Sequence, residues 1–243
     1  MKKLTLNSCI LDGVPYLEYY QEDIEYKGLI LVQHGYTSNK EYGADFLALP
    51  LARMGYFVVS IDAYKHGERM EEPYTSKDWP KMFFESPYVI RRTAIDINRL
   101  FKKRYQKKYS KYSIVGVSMG AMISYYLSTI TPHIDKIVPV IGTPDFIDRA
   151  IYGVEKDGYD PDVYLNEDTM KYLHKMNPIE HVDKMKYSQM FILVGNKDDV
   201  VPHQKSVDFF DEYQDERMKL KVFEEGHHVN KEMQIEIFEF FAS

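Results

Sequence analysis

The sequence predicts an α/β protein with a mostly parallel central sheet, helices on both faces and a small helical cap insertion. Three observations carry that prediction. Short β-rich runs alternate with helix-period runs from about residue 28 onward, the pattern of strands joined by crossover helices. Several of those β-rich runs are apolar throughout, as strands buried on both faces are. The composition, 44% hydrophobic and 28% charged over 243 residues, supplies apolar area for one large core. A single core domain over residues 1–142 and 187–243 is expected, with residues 143–186 as the cap.

The elements follow in order. Leu4 to Leu11 and Pro15 to Tyr20 flank Asp12-Gly13, a tight-turn pair, so an antiparallel hairpin is expected at the sheet edge. Gly28 to Gln33 reads as a buried strand. Residues 40–54 read as a helix stopped by Gly55, with Pro50 disturbing its last turn. Tyr56 to Ile61 is a second buried strand. Residues 62–87 hold Pro73, Pro80, Pro87 and the single tryptophan, Trp79, without a clean period, and read as a long surface loop with one short helix. Ile90, Ala94, Ile97 and Phe101 share one helical face. Ser113 to Val117 predicts a strand and Ala121 to Leu127 a helix. Lys136 to Ile141 is the next strand, where Pro139 removes a ladder donor and favours an edge or a bulge. Within 143–186, helical patches are expected near Phe146 to Ile151 and Asn166 to Met176. The sheet resumes at Gln189 to Val194, a helix covers His203 to Tyr213, and Met218 to Phe223 is the last strand. The closing helix carries Val229, Met233, Ile237 and Phe240/Phe241 on one face.

The net charge of −6 argues against a nucleic-acid partner, which generally demands a positive field. Lys102, Lys103, Arg104, Lys107 and Lys108 form a basic run, but it falls where a helix ends and cations complement the macrodipole. Cys9 is the only cysteine, so neither an internal disulfide nor a thiolate metal cluster can form, which fits a reducing compartment. Met1 to Ser8 begins with the charges of a signal peptide and turns polar before an apolar stretch develops. No run approaches the roughly 20 apolar residues of a membrane span. The expected setting is cytoplasmic, with no membrane partner, and a homodimer is compatible with the sequence.

Gly116-Val117-Ser118-Met119-Gly120 matches G-x-S-x-G and lies where a nucleophile elbow must, after a strand and before a helix. A turn this tight forces Ser118 into a strained conformation, and side chains at 116 and 120 would collide with neighbouring elements. The pentapeptide alone arises by accident in roughly one chain of this length in twelve, so context must decide. That context is chain order. Gly195-Asn196-Lys197-Asp198-Asp199 puts acids in a strand-end loop after the serine, and Glu224-Glu225-Gly226-His227-His228 puts imidazoles in the final loop.

Gln33-His34-Gly35-Tyr36, Gly116 to Gly120, Gly195 to Asp198 and Gly226-His227 resemble the four signature loops of the α/β-hydrolase superfamily. Asp62-Ala63-Tyr64-Lys65-His66-Gly67-Glu68-Arg69 is similar to the D-x-x-x-H-G-E-R stretch of bacterial hydrolases related to the prolyl oligopeptidase and dienelactone hydrolase branches. The likeness runs from about residue 28 to the end, and the segment 143–186 has no recognisable counterpart in it.

The resemblance implies an α/β-hydrolase fold and a catalytic triad of Ser118 as nucleophile, His227 as base and Asp198 as the acid behind it. The chemistry agrees: a serine hydroxyl is a poor nucleophile until a neutral imidazole takes its proton, and a buried carboxylate fixes the imidazole's tautomer. The oxyanion would be held by the backbone N–H groups of Tyr36 and Met119, with the Tyr36 hydroxyl as a further candidate. Asp199 and His228 compete by adjacency, and the spacing from Gly195 and the Gly-His pairing favour Asp198 and His227. His203 is read as a surface residue, His34 as a brace for the oxyanion loop, and His66 as an organiser of its own loop. A metal site from His66, His227 and His228 lacks any recognised ligand spacing. Neither cofactor nor metal is required.

The substrate expected is a small acyl ester, cleaved through an acyl-enzyme. A peptidase or amidase is the near alternative, although the prolyl oligopeptidase branch filters substrates with a large propeller for which this length leaves no room. A non-catalytic scaffold that binds a ligand is the alternative from another class. Phe146, Tyr152, Tyr159, Tyr164 and Tyr172 could line an acyl pocket or form the core of the insertion.

Overall fold

The computed structural model of the protein describes residues 3–71 and 79–243. Among these, one sheet holds eight strands: β1 (Leu4–Leu11), β2 (Val14–Gln21), β3 (Leu29–Gln33), β4 (Phe57–Ile61), β5 (Tyr112–Val117), β6 (Ile134–Val140), β7 (Gln189–Gly195) and β8 (Met218–Phe223). Their order across the sheet is β1-β2-β4-β3-β5-β6-β7-β8. The predicted hairpin is there, with β1 at the edge paired antiparallel to β2, and β2 antiparallel to β4. Every pair from β4 to β8 is parallel.

The helices are α1 (Asp45–Arg53), α2 (Trp79–Leu100), α3 (Met119–Ile130), α4 (Phe146–Lys156), α5 (Pro161–Tyr164), α6 (Glu167–Met176), α7 (Gln204–Tyr213) and α8 (Lys231–Ala242). Strand side chains alternate between two apolar layers, as the period of two requires. Leu31, Ile114 and Ile192 enter one layer with Ile90, Ala94 and Ile97 of α2, Ile123 of α3 and Phe209 of α7. Val32, Val115 and Leu193 enter the other with Leu47 and Leu51 of α1 and Met233, Ile237 and Phe241 of α8. Each fully buried Leu, Ile or Phe contributes about 1.5–3 kcal/mol, so these two layers fix how the sheet's C-terminal edge is presented. The predicted face of Ile90, Ala94, Ile97 and Phe101 is buried throughout.

Four expectations are corrected. The helix expected from residue 40 starts at Asp45, because the Asn39 carboxamide accepts the N–H groups of Glu41 and Tyr42, each at 2.9 Å, and holds 39–42 in a turn. The loop expected over 62–87 is a helix from Trp79 on: Pro80 sits in the first turn, where no donor is needed, and Pro87 is carried inside α2, one donor short. Upstream, a 3-10 turn spans Gly67–Arg69, while the part of that expected loop over 72–78, Pro73 included, lies outside the described residues. Pro139 is neither on an edge strand nor at a terminus, since β6 lies between β5 and β7. The β6–β7 pairing accommodates it by running through Lys136↔Gln189 and Ile137↔Met190 and resuming only at Val140↔Leu193. Finally, Val229 precedes α8, whose N-cap is Asn230, with its side chain accepting Met233 N–H at 2.9 Å.

Candidate active site

β5 ends at Val117 and α3 begins at Met119, which leaves Ser118 alone to make the reversal. Its backbone takes φ 55° and ψ −113°, a conformation that costs about 1–3 kcal/mol for a residue with a Cβ and persists only when the surroundings dictate it. They do so here by fixing both sides of the turn: Ser118 N–H donates to Val140 O at 2.8 Å, and Ser118 O accepts from Ala121 N–H at 2.9 Å. The two elbow glycines are steric requirements. A Cβ on Gly116 would fall 2.0 Å from Gly120 O, and one on Gly120 would fall 2.2 Å from Gln33 O. The elbow is packed that tightly against the end of β3.

Ser118, His227 and Asp198, drawn from the ends of β5, β8 and β7, meet above the sheet's C-terminal edge. Ser118 Oγ lies 2.9 Å from His227 Nε2, and His227 Nδ1 lies 2.7 Å from Asp198 Oδ2. A carboxylate only accepts, so Nδ1 carries the ring proton and Nε2 is left to accept from the serine hydroxyl. Asp198 is itself anchored, its Oδ1 taking Val200 N–H at 2.9 Å and Val201 N–H at 2.8 Å. The neighbours in sequence point elsewhere. The Asp199 side chain is 79% exposed against 1% for Asp198, and it pairs with Lys156 at 3.0 Å. The His228 side chain is 63% exposed against 21% for His227, and pairs with Glu225 at 3.2 Å. His203 sits half-buried at the start of α7, away from this cluster.

The loop after β3 runs alongside. A Cβ on Gly35 would lie 3.3 Å from Ser118 Cβ, which measures how near the chain from His34 to Tyr36 comes to Ser118. His34 is fully buried and bonded at both nitrogens: Ala63 N–H donates to Nε2 at 3.0 Å, so Nδ1 carries the proton and donates to Gly35 O at 2.7 Å. Burial pulls its pKa down to about 4, which keeps it neutral. It therefore ties the loop after β3 to the loop after β4. His66 donates from Nδ1 to Tyr64 O at 2.9 Å, and its ring meets the Tyr36 ring edge-on at 4.8 Å. Burial lowers the His66 pKa as well. Beneath them Asp62 accepts Lys40 N–H at 2.9 Å, Lys40 Nζ at 3.0 Å and Glu68 N–H at 3.0 Å, while Arg69 reaches Asp62 O at 3.1 Å and Asp96 at 2.7 Å. The 62–69 run is thus a buried electrostatic frame under the loop that carries Tyr36.

A cavity of about 560 Å³ opens over Ser118 and His227, with Tyr36 and Met119 also in its wall. The walls are largely apolar, from Ile90, Met122, Leu173 and Val201. Of the five aromatics considered for an acyl pocket, only Phe146 lines it: the Tyr152 hydroxyl donates to Asp199 O at 2.8 Å, and the Tyr159 and Tyr164 rings pack against each other at a tilt of 52°. Among the lining residues that sequence reasoning did not anticipate, Arg149 and Ile141 stand out. Arg149 projects from α4, where its neighbours give no chemical motif. Ile141 has φ 46°, which no propensity would assign to a β-branched residue. Among the described residues no group of three or more His, Cys, Asp or Glu side chains is placed to hold a metal ion, and no helix is long and apolar enough to cross a membrane.

The model of the prolyl oligopeptidase family (peptidase S9) matches residues 94–242 of the 243, which includes β5, the elbow and both loops that carry Asp198 and His227. The chain belongs to the prolyl oligopeptidase family. It is therefore a member of a serine hydrolase family of the α/β-hydrolase superfamily. Comparison with curated protein sequences finds no match. Among solved structures, TT1662 from Thermus thermophilus superposes with a TM-score of 0.81 at 20% identity, over 99% of this chain and 97% of that one. Acetyl xylan esterase 1 from Thermoanaerobacterium sp. JW/SL YS485 gives 0.71 at 15% identity, over 99% and 87%. A puromycin-hydrolyzing peptidase of Mycobacterium tuberculosis gives 0.70 at 16% identity, over 98% of this chain and 38% of that one. At such identities the likeness is one of fold, and that fold is the α/β-hydrolase fold.

Proposed function

We propose that this member of the family hydrolyses carboxylic esters of small acyl substrates, with Ser118 as nucleophile, His227 as base and Asp198 as the acid that orients it. The single observation that carries the reading is the 2.9 Å approach of Ser118 Oγ to His227 Nε2 on the floor of a largely apolar cavity. As the Ser118 oxygen bonds to the acyl carbon, its proton passes to Nε2, and the imidazolium is stabilised by Asp198. The carbonyl oxygen becomes an oxyanion facing the N–H groups of Tyr36 and Met119, of which the latter opens α3 and has no partner inside the helix. His227 returns the proton to the departing alkoxide, and water then repeats the sequence on the acyl-enzyme. In this reading residues 143–186 form a cap that closes one wall of the cavity through Phe146, Arg149 and Leu173.

Peptide or amide cleavage is the second reading, supported by the family match and by the peptidases among the structures of like fold. Paired assays decide between them: p-nitrophenyl butyrate against the matching anilide, each with wild type and Ser118→Ala. Ester turnover that disappears in the variant, with the anilide untouched by either protein, is the expected outcome. Equal turnover of the anilide moves the assignment to the second reading.

A further inference from the structure

α4 turns three residues toward the cavity, Phe146, Arg149 and Ala150, at the spacing of a single helical face. Among the described residues that line it, Arg149 is the only Asp, Glu, Lys or Arg; the remaining wall is apolar or neutral, apart from the imidazoles of His227 and His228. Burial pulls the guanidinium below its ordinary pKa, yet arginine stays protonated at any pH the fold meets. Tyr152, Asp198 and Asp157 lie within its field.

We propose that the substrate carries a carboxylate and that Arg149 binds it at the cavity wall. A carboxylate entering this cavity gives up hydration that the apolar residues do not replace, and a planar guanidinium can restore it through two parallel N–H···O bonds. A neutral chain of the same shape gains no such compensation. Discrimination of this polar kind is far steeper than that from apolar fit, which is worth only about 10–200-fold per methylene. The inference rests on Ser118 being the nucleophile, because that serine fixes where the scissile bond lies relative to Arg149.

Two pairs of esters test it and separate the end of the substrate that bears the charge. Mono-p-nitrophenyl adipate against its methyl ester puts the carboxylate on the acyl group. 4-Acetoxybenzoate against its methyl ester puts it on the leaving group. The charged-to-neutral ratio of kcat/KM is measured for wild type, Arg149→Met and Arg149→Lys, so that intrinsic ester reactivity and any general loss of activity cancel. In at least one pair the wild-type ratio is expected to exceed that of Arg149→Met by about tenfold or more, with Arg149→Lys between them because it keeps the charge and loses the fork. The excess should also shrink as salt is raised. Ratios that are the same in all three proteins for both pairs overturn the assignment to Arg149. Hydrolysis that survives Ser118→Ala overturns the nucleophile instead, so the two failures are told apart.

Discussion

Asp198 and Asp199 are consecutive in the chain and face opposite ways: Asp198 Oδ2 receives His227 Nδ1 at 2.7 Å, while Asp199 Oδ2 receives Lys156 at 3.0 Å on the surface. The division comes from the turn after β7, in which Asp198 Oδ1 caps the N–H groups of Val200 and Val201 and fixes the carboxylate beneath the imidazole. Asp198→Asn should preserve the fold and lower kcat by about 10⁴-fold, because an amide can donate to Nδ1 and trap the wrong tautomer. Asp199→Asn should leave kcat near wild type. Equal losses in the two variants, measured with one ester substrate, would show that the sequence neighbours share the role.

The elbow makes a stability prediction. Gly116→Ala places a methyl 2.0 Å from Gly120 O, a backbone atom that cannot step aside without moving α3 against β3. Overpacking of this kind costs about 1–3 kcal/mol and more where backbone must move, so the urea midpoint should fall and turnover with it. A variant with wild-type midpoint and kcat would mean that the close approach is not maintained.

The frame under the Tyr36 loop makes another. Lys40 and Asp62 are both buried, and Lys40→Met strands the Asp62 charge with only its two backbone donors. Removing one partner of a buried pair costs about 3–5 kcal/mol. Urea unfolding reads the loss directly, and a change no larger than that of a surface ion pair would show that the pair contributes little.

His34 supplies a pH dependence. Its pKa is about 4 in the folded protein against an ordinary value near 6.5, so the folded state refuses a proton that the unfolded chain accepts between those limits. The contribution is complete above pH 6.5 and is lost as pH falls through 4, for a total of about 3 kcal/mol at most. His34→Gln, which can keep an acceptor for Ala63 N–H, should flatten the fall in unfolding free energy between pH 7 and 4.5. Parallel slopes for the two proteins would assign acid sensitivity to other groups.

The sequence made the sheet legible because strands buried on both faces, such as Leu29 to Val32 and Met190 to Val194, are apolar without interruption. The elbow was legible because only glycine fits at 116 and 120. What it did not disclose depends on contacts remote in sequence. Asn39 delays the start of α1 through its own side chain, and Pro87 is carried inside α2 although proline reads locally as a breaker. Pro139 sits in the middle of the sheet because the β6–β7 ladder passes over it. Arg149 was missed for a related reason: a lone arginine on an amphipathic helix looks like any solvated cation until α4 is folded over Ser118.

The most direct test of the account is reaction with a fluorophosphonate probe and mapping of the adduct by mass spectrometry. A single adduct on Ser118, lost in Ser118→Ala and formed far more slowly in His227→Ala, is the predicted result. An unlabelled wild type, or labelling that persists in Ser118→Ala, would contradict it.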